Sequence, residues 1–171
     1  MATGRVFDFE SVTEYRRGEF LISTSRERLD LNVVHGFLAN CYWAKGIPRE
    51  VVQRSIEHAL CFGIYDGEGA QVGFARVISD FATFAYVGDV FVLETHRGQG
   101  LGKWLMQCIT QHPALQNLRR WILTTRDAHG LYSQVGFTPV KAPERFMELH
   151  RPNVYETRPD LNRNPHQENH L

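Results

Sequence analysis

The chain has 171 residues, 43% hydrophobic and 12% aromatic, which suits one globular domain with a substantial buried core. Nineteen Lys and Arg balance nineteen Asp and Glu, so no overall field favours nucleic acid or an anionic membrane. The three cysteines (Cys41, Cys61, Cys108) are odd in number and set among apolar neighbours, and read as core thiols of a reduced compartment. No segment is long and apolar enough to span a bilayer or act as a signal peptide, so a soluble, cytoplasmic protein is expected.

Residues 1–18 mix charges with scattered aromatics and have no period, so they read as an irregular N-terminal extension. Phe20 to Thr24 forms a first candidate strand, and Asp30 is a plausible cap for a helix carrying Leu31, Val34, Phe37 and Leu38 at helical spacing. A connector containing Tyr42 and Trp43 leads to a second helix opened by Pro48. Tyr42 and Trp43 have two readings, capping the core or walling a substrate pocket. Cys61 to Asp66 and Val72 to Ser79 read as a hairpin joined by the turn Asp66-Gly67-Glu68-Gly69. A turn at Ser79 and Asp80 leads into a long strand, Phe81 to Leu93, with a bulge or close backbone approach expected at Gly88.

That strand runs into the most informative stretch of the chain, Arg97-Gly98-Gln99-Gly100-Leu101-Gly102-Lys103, at the start of an amphipathic helix. A helix start leaves backbone N–H groups unpaired at the positive end of the helix dipole, and glycines let an anion come close to them. Arg97 and Lys103 add positive charge at either end. The dinucleotide pattern fails, because Lys103 occupies its third glycine position. The Walker pattern fails as well, with Arg97 at its first glycine and Trp104 where Ser or Thr would hold magnesium. A ligand-free strand-to-helix turn is the plain alternative.

Beyond the loop helix, which Pro113 ends, Arg120 to Thr125 reads as a buried strand. Asp127 is a candidate cap for a helix ending at Gly136, and Phe137 to Val140 with Arg145 to Leu149 read as a closing pair of strands. Residues 151–171 are polar and read as a flexible tail, and His166 to His170 reads as solvated there rather than as a metal site.

The pattern R-x-x-G-x-G at Arg97, Gly100 and Gly102, between a strand and a helix, resembles the pyrophosphate loop of the GNAT superfamily of acetyl-CoA-dependent N-acetyltransferases. A second motif, Thr125-Arg126-Asp127-Ala128-His129-Gly130-Leu131-Tyr132-Ser133-Gln134-Val135-Gly136-Phe137, resembles that family's N-x-x-A-x-x-L-Y-x-x-x-G-F, with Thr125 replacing the leading Asn. The resemblance covers Cys61 to Leu149. It implies an α/β (α+β) fold: a mixed, mostly antiparallel sheet of about seven strands flanked by helices, in the order β-α-α-β-β-β-α-β-α-β-β. The acetyltransferase domain would span residues 19–150.

The resemblance further implies acetyl-CoA as cosubstrate, without a metal. Its pyrophosphate would lie on Arg97, Gly98, Gln99, Gly100, Leu101, Gly102 and Lys103, its pantetheine arm near Thr125, and its thioester against Phe91 and Val92. Tyr132 matches the family's acid, which protonates the departing thiolate. Asp89, two residues before Phe91, is the first candidate base, ahead of Asp80 and His129. Tyr42, Trp43 and Asp80 are the candidate borders of a site for a small-molecule or peptide amine. Neither nucleic acid nor membrane is expected as a partner, and a homodimer is left open. The alternative function is a CoA-binding sensor module that transfers nothing.

Overall fold

A computed structural model describes residues 11–155; residues 1–10 and 156–171 lie outside the described part, and with them the His166 to His170 cluster. Six strands form one sheet in chain order: β1 (Glu14–Arg17), β2 (Phe20–Ser23), β3 (Leu60–Tyr65), β4 (Gln71–Ser79), β5 (Phe84–Val92) and β6 (Arg120–Ile122). All neighbours are antiparallel except β5 and β6, which run parallel. Helices α1 (Leu31–Leu38), α2 (Arg49–Glu57), α3 (Leu101–Thr110) and α4 (His129–Ser133) flank it.

Strand periodicity divides the core between the two faces of the sheet. Phe62 and Ala75 face a cluster with Leu101, Leu105, Met106 and Ile109 of α3, while the adjacent Cys61 and Phe74 face Val34, Leu38, Val52 and Ile56 of α1 and α2. Asp30 caps α1, its Oδ1 accepting the Asn32 N–H at 2.8 Å. The cysteines are free, and burial pushes the Cys61 thiol up to about 12 and the Cys108 thiol to about 11. At those values both stay protonated and unreactive near neutral pH.

The sheet departs from the sequence expectation at both ends. Residues 14–17, assigned to an irregular extension, form β1, because Gly18 at φ 58° turns the chain back onto β2. The expected closing strands at 137–140 and 145–149 do not form. Pro139 removes a ladder donor from the first, Pro143 opens a 3-10 turn that runs into the second, and Met147 and Leu149 are almost fully exposed. The sheet therefore has six strands instead of about seven. The last helix is also shorter than expected, and the turn leading to its N-cap, Ala128, is closed by the Thr125 hydroxyl, which accepts the Ala128 N–H at 3.0 Å. Asp127 turns instead to Arg126, 3.3 Å away.

β5 begins at Phe84, three residues later than the sequence suggested, because Asp80 gathers the preceding turn. Its Oδ1 accepts the N–H groups of Ala82, Thr83 and Phe84 at 2.8–3.0 Å, and its Oδ2 accepts the Thr83 hydroxyl at 2.6 Å. These bonds, led by the Thr83 hydroxyl, hold the Asp80 carboxyl far below the usual carboxylate range. A depressed folded value stabilises the protein above the unfolded value of about 4, and that contribution is lost as pH falls toward the folded value. Asp80→Asn is therefore expected to melt lower than wild type at pH 7, with the gap narrowing below about pH 4. A gap that stays constant from pH 7 to the acid limit of the melts would refute this role.

Candidate active site

The sheet splits beside its central strand. β6 pairs with β5 only at Phe84, Ala85 and Tyr86, so among the described residues Val87 to Val92 have no strand on that side. Tyr86 marks the fork, its hydroxyl 3.0 Å from that of Thr124. On the other side of β5 the register jumps. Phe91 opposes Phe74 and Gly88 opposes Arg76, so Asp89 and Val90 together face Ala75 as a bulge. The bulge lies one residue past Gly88, the position at which the sequence had placed it.

Asp89 carries the strain of that bulge at φ 54°, in the left-handed region where a non-glycine residue costs on the order of 1–2 kcal/mol. Arg76, on the facing strand, offsets it. Its Nε and Nη2 donate to Asp89 Oδ2 at 2.8 and 2.7 Å, with both side chains largely shielded from solvent. The Trp43 indole donates to Oδ1 at a longer 3.3 Å, leaving that oxygen room for another donor.

After β5, a 3-10 turn (Glu94–His96) leads into the glycine loop. Gly98 and Gly100 adopt φ 77° and 71°, and Gly100 is the cap of α3. Among the described residues, no acceptor meets the N–H groups from Gly98 to Lys103, and the first helical bond into the loop runs from Trp104 N–H to Gly100 O at 3.1 Å. Consecutive unpaired donors at the positive end of a helix form an anion cradle. Leu101 is buried and anchors the loop, while Gln99 and Lys103 are exposed. Arg97 folds back, its Nε donating to Val92 O at 3.2 Å, and so ties the loop to the strand end. Phe91 stacks on Phe37 at 3.9 Å and is nearly buried, so its side chain is core and only its backbone faces the fork.

Tyr132 lies on α4, packed edge-on to Phe137 at 6.2 Å, and its hydroxyl makes no hydrogen bond to any described residue. Burial, then the nearby phenols of Tyr42 and Tyr86 and the Asp127 carboxylate, raise its pKa. Tyr42 and Trp43 meet edge to face at 4.9 Å and are 50% and 44% exposed, so they line a surface instead of capping the core. The Arg126 guanidinium sits 3.8 Å over the Tyr42 ring. The fold thus links Tyr42, Trp43 and Asp89 by ring contact and hydrogen bond, with Tyr132 close enough to the Tyr42 phenol to feel its charge. It does not bring Asp80 to them, since that residue closes the far end of the β4–β5 hairpin, roughly 13 Å along the strand from Asp89. His129 starts α4.

Three participants were not legible in the sequence: Arg76, Tyr155 and Arg17. Only the strand register shows that Arg76 meets Asp89. Tyr155, from the stretch read as tail, packs on the Phe74 and Phe91 cluster, where burial and then Asp89 raise its pKa against the opposing charge of Arg76. A separate hollow of about 420 Å³, lined in part by Leu118, Trp121 and Phe137, lies at the opposite end of α3 from the cradle. Among the described residues, no group of three or more His, Cys, Asp or Glu side chains could hold a metal, and no helix is long and apolar enough to cross a membrane.

The family model for the acetyltransferase (GNAT) domain matches residues 57–139, which contain the fork, the loop and Tyr132. A protein of Gibberella zeae, provisionally named an acetyltransferase, is 31% identical, with 70% of this chain and 79% of that one covered. The chain belongs to the GNAT family of acetyltransferases. A crystal structure of a provisionally assigned GNAT acetyltransferase from Xanthomonas campestris is 52% identical, superposes with a TM-score of 0.79, and is covered over 99% of its length by 82% of this chain. A more distant structure, from Deinococcus radiodurans, shares the fold at 22% identity and a TM-score of 0.64, over 81% of this chain and 94% of that one. This GNAT chain thus has the family's mixed, mostly antiparallel sheet, here with six strands.

Proposed function

We propose that this GNAT protein moves an acetyl group from acetyl-CoA to a primary amine of a small molecule or an exposed peptide. The observation that carries the reading is that, among the described residues, the N–H groups from Gly98 to Lys103 are unpaired and lie beside an open edge of β5. The two features fit a ligand with an anionic middle and an extended, amide-bearing arm. A GNAT-fold structure from Clostridium acetobutylicum, 12% identical with a TM-score of 0.51 over 71% of this chain and 92% of that one, was solved with acetyl-CoA. In the proposed arrangement Gly98 to Lys103 hold the pyrophosphate, and the backbone at Phe91 and Val92 orients the thioester. Thr125 stands near the arm.

The neutral amine nitrogen forms a bond to the acetyl carbon, and the carbon–sulfur bond breaks. Tyr132 gives its proton to the departing sulfur, and its raised pKa keeps that proton available at neutral pH. The nitrogen loses its extra proton through water to Oδ1 of Asp89, the less occupied oxygen. Tyr42 and Trp43 offer aromatic faces to a cationic amine before it is deprotonated. Asp80, held in its turn, is left out of this acceptor site.

Thiol release from acetyl-CoA across amines, polyamines, amino acids, aminoglycosides, arylamines and peptide N-termini tests the reading. With the best acceptor, Asp89→Asn is expected to lower kcat/KM roughly 10²-fold, most severely at low pH where amine deprotonation limits. CoA binding without thiol release to any acceptor would favour a sensor module instead.

A further inference from the structure

The glycine loop is held from behind by a residue outside both family motifs. Arg17, the last residue of β1, donates from Nη2 to Gln99 O at 3.0 Å and from Nη1 to Gly100 O at 3.4 Å. Its guanidinium lies 4.7 Å over the Trp104 ring on the first turn of α3. More than eighty residues separate the partners, so only the fold brings them together.

A planar trans peptide points its C=O and its N–H in opposite directions. The carbonyl of Gln99 shares a peptide with the N–H of Gly100, and that of Gly100 with the N–H of Leu101. Fixing these two carbonyls on the Arg17 side turns both N–H groups away from it, toward the open side of the loop. The loop needs such a restraint, because Gly98 and Gly100 are free to leave their left-handed conformations. A guanidinium on the carbonyls also polarises both peptides and strengthens their N–H groups as donors. Its fork geometry matches two adjacent carbonyls, which a lysine ammonium cannot reproduce.

We propose that Arg17 is a positioning residue for diphosphate recognition: it aims the Gly100 and Leu101 N–H groups at the pyrophosphate of the acetyl donor without touching the donor itself. The proposal rests on the acetyl-CoA reading above. It assigns to β1 a function in the cofactor site, although the sequence there carries no motif.

The test compares acetyl-CoA with acetylpantetheine, which has the thioester and arm but no pyrophosphate. Arg17→Met keeps a stem that can pack on Trp104 and removes both donors, and Arg17→Lys keeps the charge without the fork. The expected result is that the ratio of kcat/KM for acetyl-CoA over acetylpantetheine drops about tenfold in Arg17→Met, through KM rather than kcat. Arg17→Lys should recover only part of it. A ratio equal to wild type in either folded variant overturns the role of Arg17 while leaving the acetyl-CoA reading intact. A wild-type protein that does not prefer acetyl-CoA over acetylpantetheine overturns both.

Discussion

Gly100→Val is expected to weaken acetyl-CoA binding by about a hundredfold or more, read by calorimetry, while the protein remains folded. Gly100 is the N-terminal cap of α3 at φ 71°, where an L side chain costs on the order of 1–2 kcal/mol and a β-branched one adds crowding. A Cβ there would meet only Arg17 Nη1, at 3.8 Å, so the substitution need not disturb the core. Its damage falls on the direction of the loop N–H groups. A hydrogen bond to a charged group contributes roughly 1.5–3 kcal/mol, so misdirecting two of them accounts for the predicted loss. Gly69→Val, at φ 84° in the β3–β4 turn and with nothing within 4 Å, imposes similar backbone strain outside the loop and serves as the control. A drop in melting temperature in both variants, with lost affinity only in Gly100→Val, is the expected pattern. Unchanged affinity in folded Gly100→Val would remove the loop from the cofactor site.

The elements around the loop were legible because local chemistry determines them. Asp30 and Pro48 mark helix starts, the Asp66 to Gly69 turn joins two apolar runs, and the spacing of Gly98 and Gly100 places positive φ at a helix N-terminus. What the sequence concealed depends on partners distant in the chain. The run at 14–17 has only four residues and a mostly exposed pattern, so nothing in it distinguishes an edge strand from a lead-in. The segment 145–149 carried the apolar residues of a strand, but among the described residues no strand pairs with it, and Phe146 meets β6 only through the Arg120 guanidinium over its ring. The Gly88 signal fell beside the actual bulge, because the residue that takes the positive φ is Asp89, held there by Arg76. The sequence put Asp80 in a turn and Asp89 on the central strand, yet both stood as candidate carboxylates of the acceptor site. Hydrogen bonding separates them: Asp80 is used up by four local donors, whereas Asp89 meets the Trp43 indole.

Tyr132→Phe separates chemistry from binding. The substitution removes one hydroxyl that makes no hydrogen bond to a described residue and leaves the ring to pack on Phe137, so stability and acetyl-CoA affinity are expected to stay near wild type. Turnover with the best amine should fall roughly 10²- to 10⁴-fold, the usual contribution of a positioned acid. The pH profile supplies a second readout. Burial and the neighbouring Tyr42, Tyr86 and Asp127 raise the Tyr132 pKa, so its acid form persists beyond the ordinary tyrosine value of about 10. Wild-type kcat should therefore hold up through mildly alkaline pH and decline only above that value, and this alkaline limb should be missing from Tyr132→Phe. Tyr86→Phe, which keeps the ring at the fork but loses the bond to Thr124, distinguishes a general disturbance of the aromatic residues from loss of the acid, and should cost far less. If Tyr132→Phe turns over as fast as wild type, its hydroxyl gives no proton to the leaving sulfur, and water entering the fork between β5 and β6 becomes the donor.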